Sequence, residues 1–394
     1  MSAQLPVVVV GQTPPPVHGQ SMMVRYALEG AYDGVRLHHV RVAFARSVDD
    51  IGRPRPGKLL HLGSVVARIA WARVRLRARV LYYHPAGPSR LPVYRDIVLL
   101  LSTRWMFRAT VLHFHAGGVS ELYPRLGRAG RWLFRKAYYD ADVGIRTSAL
   151  APDDPGRLHA RQQVVIPNGV PDAAAAFGPR RPGAAFGPRR PGAAFGPRRP
   201  GAEAATILHV GHLWESKGLP VLLEAAGALL REGLRFRVEV VGAYPSAEVE
   251  ARARGVIRAN GLDEVVVHRG PLTGDERLAA YARADVFCFP SFYEAETFGI
   301  VLLEAMQFGL PVVATRWRGI PSVVTDGVTG FLVPVRDSAA LADRLALLLG
   351  DDALARRMGA AGRSAYEERF TLERFHRDLQ AVFDSLQSLP AVPR

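Results

Sequence analysis

The chain has 394 residues, 48% of them hydrophobic and 22% charged, with a single cysteine, Cys288. That composition excludes a disordered chain and a disulfide-built scaffold, and the length suffices for two or three domains. The formal net charge of +15 is uneven, with +13 on residues 1–172, +6 on 173–201 and −4 on 202–394, so the front half is expected to meet an anionic partner.

The N-terminus, MSAQLPVVVV, lacks a charged n-region and a cleavage site. No apolar run reaches the ~20 residues of a spanning helix, so a reducing cytoplasm is the expected compartment. Val7–Val10 reads as a buried strand, and Ser21–Leu28 as a helix with Ser21 as candidate cap. Gly19 lies in the loop between them. Backbone can approach a phosphate closely there, although an ordinary turn after three prolines explains the glycine equally well. Leu62–Leu76 has helical apolar spacing, while Val80–Tyr83 and Thr110–Phe114 have strand length. His115 follows the last of these and precedes Gly117 and Gly118. His113 points the same way, deeper in the strand.

Residues 175–201 read AAFGPRRPG three times without a mismatch. One Phe and two Pro per copy can bury little and cannot sustain a helix, so 171–203 reads as a flexible basic linker. Beyond it, strands are expected at Thr206–Val210, Arg237–Val241, Val265–Val267, Val286–Pro290 and Pro311–Thr315. Helices are expected at Leu219–Leu230, Glu276–Ala284 and Gly299–Phe308, the last closed by Gly309. Strand–helix alternation on both sides of the linker predicts an α/β chain of two doubly wound domains, 1–170 and 204–370. In such sheets ligands sit at the carboxyl ends of strands, and two domains facing each other would form a cleft. Residues 371–394 hold an amphipathic terminal helix that either closes the back domain or crosses to pack on the front one.

The richest chemistry lies in FPSFYEAETFGIVLLEAM, Phe289–Met306. A buried strand ends, a loop carries Glu296, and a helix starts near Thr297–Ile300. The free N–H groups of that first turn suit an anion or sugar oxygens. Glu296 can accept from hydroxyls. Glu304 lies in an otherwise apolar helix, where a carboxylate needs a partner, and a ribose diol is one candidate. On residue types alone, Glu296 is equally a helix-start charge, and Glu304 a solvated or arginine-paired one.

This stretch resembles the E-x7-E signature of retaining glycosyltransferases of family 4, with Glu296 and Glu304 in the two Glu positions. ILHVGHLWESKG (Ile207–Gly218), IPNGV (Ile166–Val170), Gly309–Val313, Gly319–Pro321 and DGVTGFLVP (Asp326–Pro334) resemble further segments of that family, in the same order. GQTPPPVHGQS (Gly11–Ser21) and HFHAGG (His113–Gly118) match more loosely. The resemblance implies the GT-B fold, with two Rossmann-like domains. It implies that Glu296 holds the donor sugar, Glu304 binds the nucleotide ribose, and backbone N–H groups of Thr297, Phe298, Gly299 and Ile300 contact sugar and phosphate. Lys217 would neutralise the departing diphosphate, Gly19 would approach the donor, and His115 would lie near its sugar. The family usually has Arg where this chain has His212, which is charged only in part near neutrality.

Metal is not implied: no Asp-x-Asp sits at a strand end and no His/Cys cluster has zinc spacing. No cofactor is expected, and no G-x-G-x-x-G, Walker A or G-x-S-x-G motif appears. In the basic half, Arg68, Arg73, Arg75, Arg77 and Arg79 cluster. Arg131, Arg135 and Lys136 surround Trp132, Leu133 and Phe134, and Arg95–Arg108 brackets an apolar helix with Trp105 and Phe107. Such faces suit the inner, anionic surface of a plasma membrane, though a merely solvated surface would look the same. No nucleic-acid motif is present, so nucleic acid is not the expected partner. The expectation is a transferase moving a sugar from a nucleotide-sugar to a glycan or lipid-linked acceptor, in bacterial surface polysaccharide synthesis. Its rivals are another nucleotide-sugar enzyme of the same plan, such as an epimerase, and a non-catalytic basic protein binding membrane or nucleic acid.

Overall fold

The structure, a computed structural model, describes residues 4–44, 56–177 and 204–387. The linker expected at 171–203 lies mostly outside these residues. The chain divides into two compact units, residues 1–169 with 372–394, and residues 170–371.

The first unit runs β1 Leu5–Gly11, α1 Gly19–Glu29, β2 Val35–Arg41, α2 Pro56–Arg75, β3 Val80–Tyr83, α3 Arg90–Thr103, β4 Ala109–Phe114, α4 Val119–Leu122, α5 Arg128–Tyr138, β5 Val143–Arg146, α6 Asp154–Arg157 and β6 Gln162–Val165. Its six strands are all parallel, in the order β2-β1-β3-β4-β5-β6. β3 and β4 are buried along their whole length, as parallel strands covered on both faces must be. The order reverses between β1 and β3, and the carboxyl ends there are where such sheets bind ligands.

Two local devices position that edge. α1 begins at Gly19, two residues before the expected start, and its cap is His18 rather than Ser21. The Ser21 backbone N–H donates to His18 Nδ1 and the His18 N–H donates to Ser21 Oγ, so the serine is the inner half of a capping box. Asp96, fully buried on α3, accepts from the Tyr83 and Tyr138 hydroxyls, the Ala86 N–H and the Arg95 guanidinium, which pins the loop after β3.

The second unit runs β7 Ala205–Val210, α7 Leu219–Arg231, β8 Phe236–Val241, α8 Ala247–Ala259, β9 Val266–His268, α9 Gly274–Arg283, β10 Val286–Phe289, α10 Ile300–Gln307, β11 Val312–Thr315, β12 Gly330–Val333, α11 Ser338–Gly350 and α12 Asp352–Arg369. Its parallel order is β12-β11-β10-β7-β8-β9, with the reversal between β7 and β10. α10 is a short helix closed by Gly309 at φ +63°. The Leu310 N–H returns to the Ala305 carbonyl and the Gly309 N–H to that of Met306.

α13, Leu372–Gln387, is counted with the first unit. Phe383 meets Tyr32 and Tyr82 edge-on, the His376 ring bonds the Tyr26 carbonyl, and Gln380 bonds the Asp33 backbone. The apolar stripe Phe375, Leu379, Val382, Phe383 and Leu386 is buried. A helix with that stripe needs a partner surface, and here it is the first unit's tyrosine-rich face.

Candidate active site

In the second unit the loops after β7 and β10 leave the sheet at its switch point. The loop after β7 makes a 3-10 turn, Glu215–Lys217, closed by Gly218 at φ +86°. A Cβ on Gly218 would lie 2.1 Å from the Pro290 carbonyl oxygen, so only glycine lets the two loops touch. The Phe292 N–H donates to the Ser216 carbonyl and fastens one loop to the other. That closeness delivers Lys217 Nζ to 2.8 Å from Glu296 Oε2, with the two side chains only 15% and 9% exposed. The Ser291 hydroxyl donates to the same oxygen at 3.3 Å, and the ammonium lies 4.5 Å from the Tyr293 ring centroid. Trp317 Nε1 donates to the Tyr293 carbonyl, and the Thr315 hydroxyl to that of Ser291. The loop is therefore tied to β11 as well.

Thr297 and Phe298 are buried in that loop, Gly299 caps α10 at φ +82°, and Ile300 is its first residue. At Gly299 a side chain would meet Leu302 at 2.9 Å as well as the unfavourable φ. Glu304 lies one turn in, with its carboxylate bound by both terminal nitrogens of Arg277 at 2.9 and 3.1 Å and by the Tyr281 hydroxyl at 2.8 Å. The buried carboxylate thus has an arginine partner on α9. Of its four lone-pair positions three are taken, which leaves one for a further hydrogen bond.

His212 stacks on Trp214, with ring centroids 5.5 Å apart. Its pKa is lowered, first by burial and then by the Lys217 charge, so it is neutral near pH 7. It does not supply a second cation beside Lys217. Cys288 is buried in β10, and burial raises its thiol pKa, so it stays protonated and inert.

In the first unit, the loop after β1, the start of α1 and the ends of β3 and β4 meet. Gln20, next to Gly19, donates to the His84 and Pro85 carbonyls. His84, His113 and His115 form a stack, with centroids 5.6 Å apart for His84–His113, 5.2 Å for His84–His115 and 3.9 Å for His113–His115. Tyr82 Oη lies 2.7 Å from His113 Nδ1, and Asn168 Oδ1 lies 3.3 Å from His115 Nδ1. Asn168 belongs to IPNGV and His115 to HFHAGG, so two separate sequence segments meet here. Burial lowers the His115 pKa to about 4, and those of His84 and His113 well below the ordinary value. All three rings are neutral at physiological pH.

The basic elements of this unit do not all face water. Arg95 pairs with buried Asp96, and Arg73 donates to the Met106 carbonyl. Arg131, Arg135 and Lys136 on α5 are exposed, as are Arg68, Arg75, Arg77 and Arg79. Trp71, Trp105 and Trp132 are 55%, 77% and 62% exposed, and Leu91, Tyr94 and Val98 form an exposed stripe along α3. Phe134, expected with Trp132, is core. No helix among the described residues is long and apolar enough to cross a membrane.

Sequence reasoning did not find Arg277 and Tyr281 as partners of Glu304, nor His84 as a member of the histidine cluster. Arg277 and Tyr281 share an i, i+4 face of α9, a readable signal, but their target lies on another helix. His84 is 29 residues from His113, and no local spacing links them.

Residues 204–351 match the family described as Glycosyl transferases group 1. The chain is 35% identical over 189 residues to the D-inositol 3-phosphate glycosyltransferase of Arthrobacter sp. strain FB24, covering 45% of this chain and 44% of that protein. It is 38% identical over 161 residues to the phosphatidyl-myo-inositol mannosyltransferase of Mycobacterium leprae, covering 41% of each. The matched stretch thus spans under half the length of these curated relatives. Over 97% of its length the chain superposes on Anabaena HepE, solved in complex with UDP, at a TM-score of 0.68 and 18% identity, covering 100% of that chain. At that identity the likeness shows the fold, which is GT-B with two Rossmann-like domains.

Proposed function

We propose, from the premise that residues 204–351 are a glycosyl transferases group 1 domain, that this chain transfers a sugar from a nucleotide-sugar to an acceptor and retains the anomeric configuration. The observation that carries this reading is the buried Lys217–Glu296 pair at the β7/β10 switch point. When the sugar leaves, the nucleoside diphosphate gains negative charge. A lysine already fixed and largely desolvated stabilises that charge without reorganising. Glu296 keeps the lysine contact on Oε2 and accepts hydrogen bonds from the donor sugar's hydroxyls with its further lone pairs. N–H groups of Thr297, Phe298, Gly299 and Ile300 receive phosphate and sugar oxygens. Glu304 uses its one remaining lone pair for a hydroxyl of the ribose diol, the other three being held by Arg277 and Tyr281.

His115 and the Gly19 turn are the first unit's contributions. A neutral, hydrogen-bond-oriented imidazole at a strand end suits a sugar hydroxyl better than a charged one would. The acceptor in this reading is a lipid-linked glycan of bacterial surface polysaccharide synthesis. Exposed tryptophans among arginines support peripheral contact with an anionic membrane from its inner, cytoplasmic face. Retention rests on the E-x7-E resemblance. It is tested by NMR of the initial product from an anomerically pure donor: the donor's configuration in the product is expected, and the opposite configuration would overturn it.

A further inference from the structure

The histidine cluster offers more than a single sugar contact. We propose that His84, His113 and His115 form a three-imidazole site for one first-row divalent cation of the zinc type, with a fourth position open to an oxygen donor. One ring nitrogen from each residue lies within 4.8 Å of the other two. A tetrahedral ion with bonds of about 2.0–2.1 Å holds its ligand atoms roughly 3.4 Å apart, so modest ring rotations close the set. The three residues are 3%, 0% and 8% exposed. Both ring nitrogens of His84 and Nε2 of His113 are buried without a hydrogen-bond partner. Buried polar atoms are as a rule hydrogen-bonded or ligated, and one cation is a partner that these nitrogens can share.

The surroundings are those of ligating histidines. Tyr82 holds Nδ1 of His113 and Asn168 holds Nδ1 of His115, which makes Nε2 the ligand nitrogen of each in this proposal. Outer partners of this kind orient the ring and select the ligating nitrogen. Burial also keeps the rings neutral, the form that binds metal. Gly11 leaves room for His84, because a Cβ there would lie 3.0 Å from the His84 ring. Three imidazoles with one open position are a donor set that zinc accepts, and imidazole also suits cobalt and nickel. The proposal stands independently of the donor reading in the second unit.

The test uses the untagged full chain, stripped with chelator and titrated with zinc by calorimetry. One equivalent is expected, with an X-ray absorption spectrum showing three imidazole ligands. His84→Gln and His113→Gln are each expected to weaken zinc binding by about 100-fold or more, whereas surface His159→Ala leaves it unchanged. The proposal is overturned by the lack of a stoichiometric site, or by zinc affinity that survives both glutamine variants. If circular dichroism shows that those variants do not fold, the wild-type absorption spectrum decides: fewer than three imidazoles overturns it.

Discussion

Lys217 Nζ lies 2.8 Å from Glu296 Oε2, although the two residues are 79 positions apart. The contact exists because Gly218 lets the β7 loop rest on Pro290. Removing the positive charge leaves the buried Glu296 carboxylate without its cation, so a stability loss is expected beside the loss of chemistry. Lys217→Met is expected to lower kcat/KM for transfer by about 10²–10³-fold, the usual worth of one fixed group stabilising transition-state charge. Steady-state kinetics with folding checked by circular dichroism measures this. A fall of under threefold would remove Lys217 from the mechanism.

Gly218→Ala should be a folding defect. The substitution puts a side chain at φ +86° and a Cβ 2.1 Å from the Pro290 oxygen. Left-handed strain alone costs about 1–3 kcal/mol, and the clash adds to it, so a loss of roughly 2–4 kcal/mol is expected in urea melts.

Glu304→Ala strands the Arg277 guanidinium and the Tyr281 hydroxyl. Breaking a buried pair by removing one partner costs about 3–5 kcal/mol, and Arg277 is a quarter exposed, so about 2–3 kcal/mol is expected. Nucleotide affinity of this variant must be compared with its own ligand-free baseline. Arg277→Gln separates the effects: it should share the stability loss and keep more of the nucleotide affinity.

Acid should weaken the second unit through His209. Burial lowers its pKa to about 4, against about 6.5 in an unfolded chain, despite its bond to the Cys288 carbonyl. Between these values the unfolded chain binds the extra proton. Stability is fully present above pH 6.5 and falls as pH drops toward 4, by about 1.4 kcal/mol per pH unit. His209→Asn places an amide N–H where Nδ1 stood and does not titrate, so urea melts across this window should show a shallower slope. An unchanged slope would refute the assignment.

The exposed tryptophans predict a surface affinity. The chain is expected to co-sediment with vesicles containing phosphatidylglycerol, less with neutral vesicles, and less at high salt. Replacing Trp71, Trp105 and Trp132 together by Ala should cut that binding about tenfold or more, and equal binding would leave this face a plain solvated one.

Much of this molecule was readable from local pattern. β3 has the bounds its apolar run implied, α7, β7, β8 and α10 differ from expectation by one residue at one or both ends, and α13 starts one residue after the expected start, because buried parallel strands and amphipathic helices write their periods locally. Glu296 and the α10 turn share one loop–helix segment where polar groups concentrate, whereas Lys217, in the separate β7 loop, is singled out only by the family resemblance. What local pattern could not carry is who meets whom across the fold. Glu304 finds Arg277 and Tyr281 on α9, His84 joins His113 across two strands, and Arg95 turns inward to Asp96 although its neighbours made it look like surface charge. His18 displaced Ser21 as cap because imidazole Nδ1 accepts the Ser21 N–H as well as a hydroxyl would.

In the proposed reaction the second unit binds a nucleoside diphosphate through Lys217. A thermal-shift panel of UDP, GDP, ADP, CMP and NAD on wild type and Lys217→Met tests it most directly. One nucleoside diphosphate is expected to stabilise the wild type, by about 2.7 kcal/mol at a hundred times its dissociation constant, and the shift should largely vanish in the variant. No shift with any of the diphosphates, or a shift with NAD alone, would contradict the account.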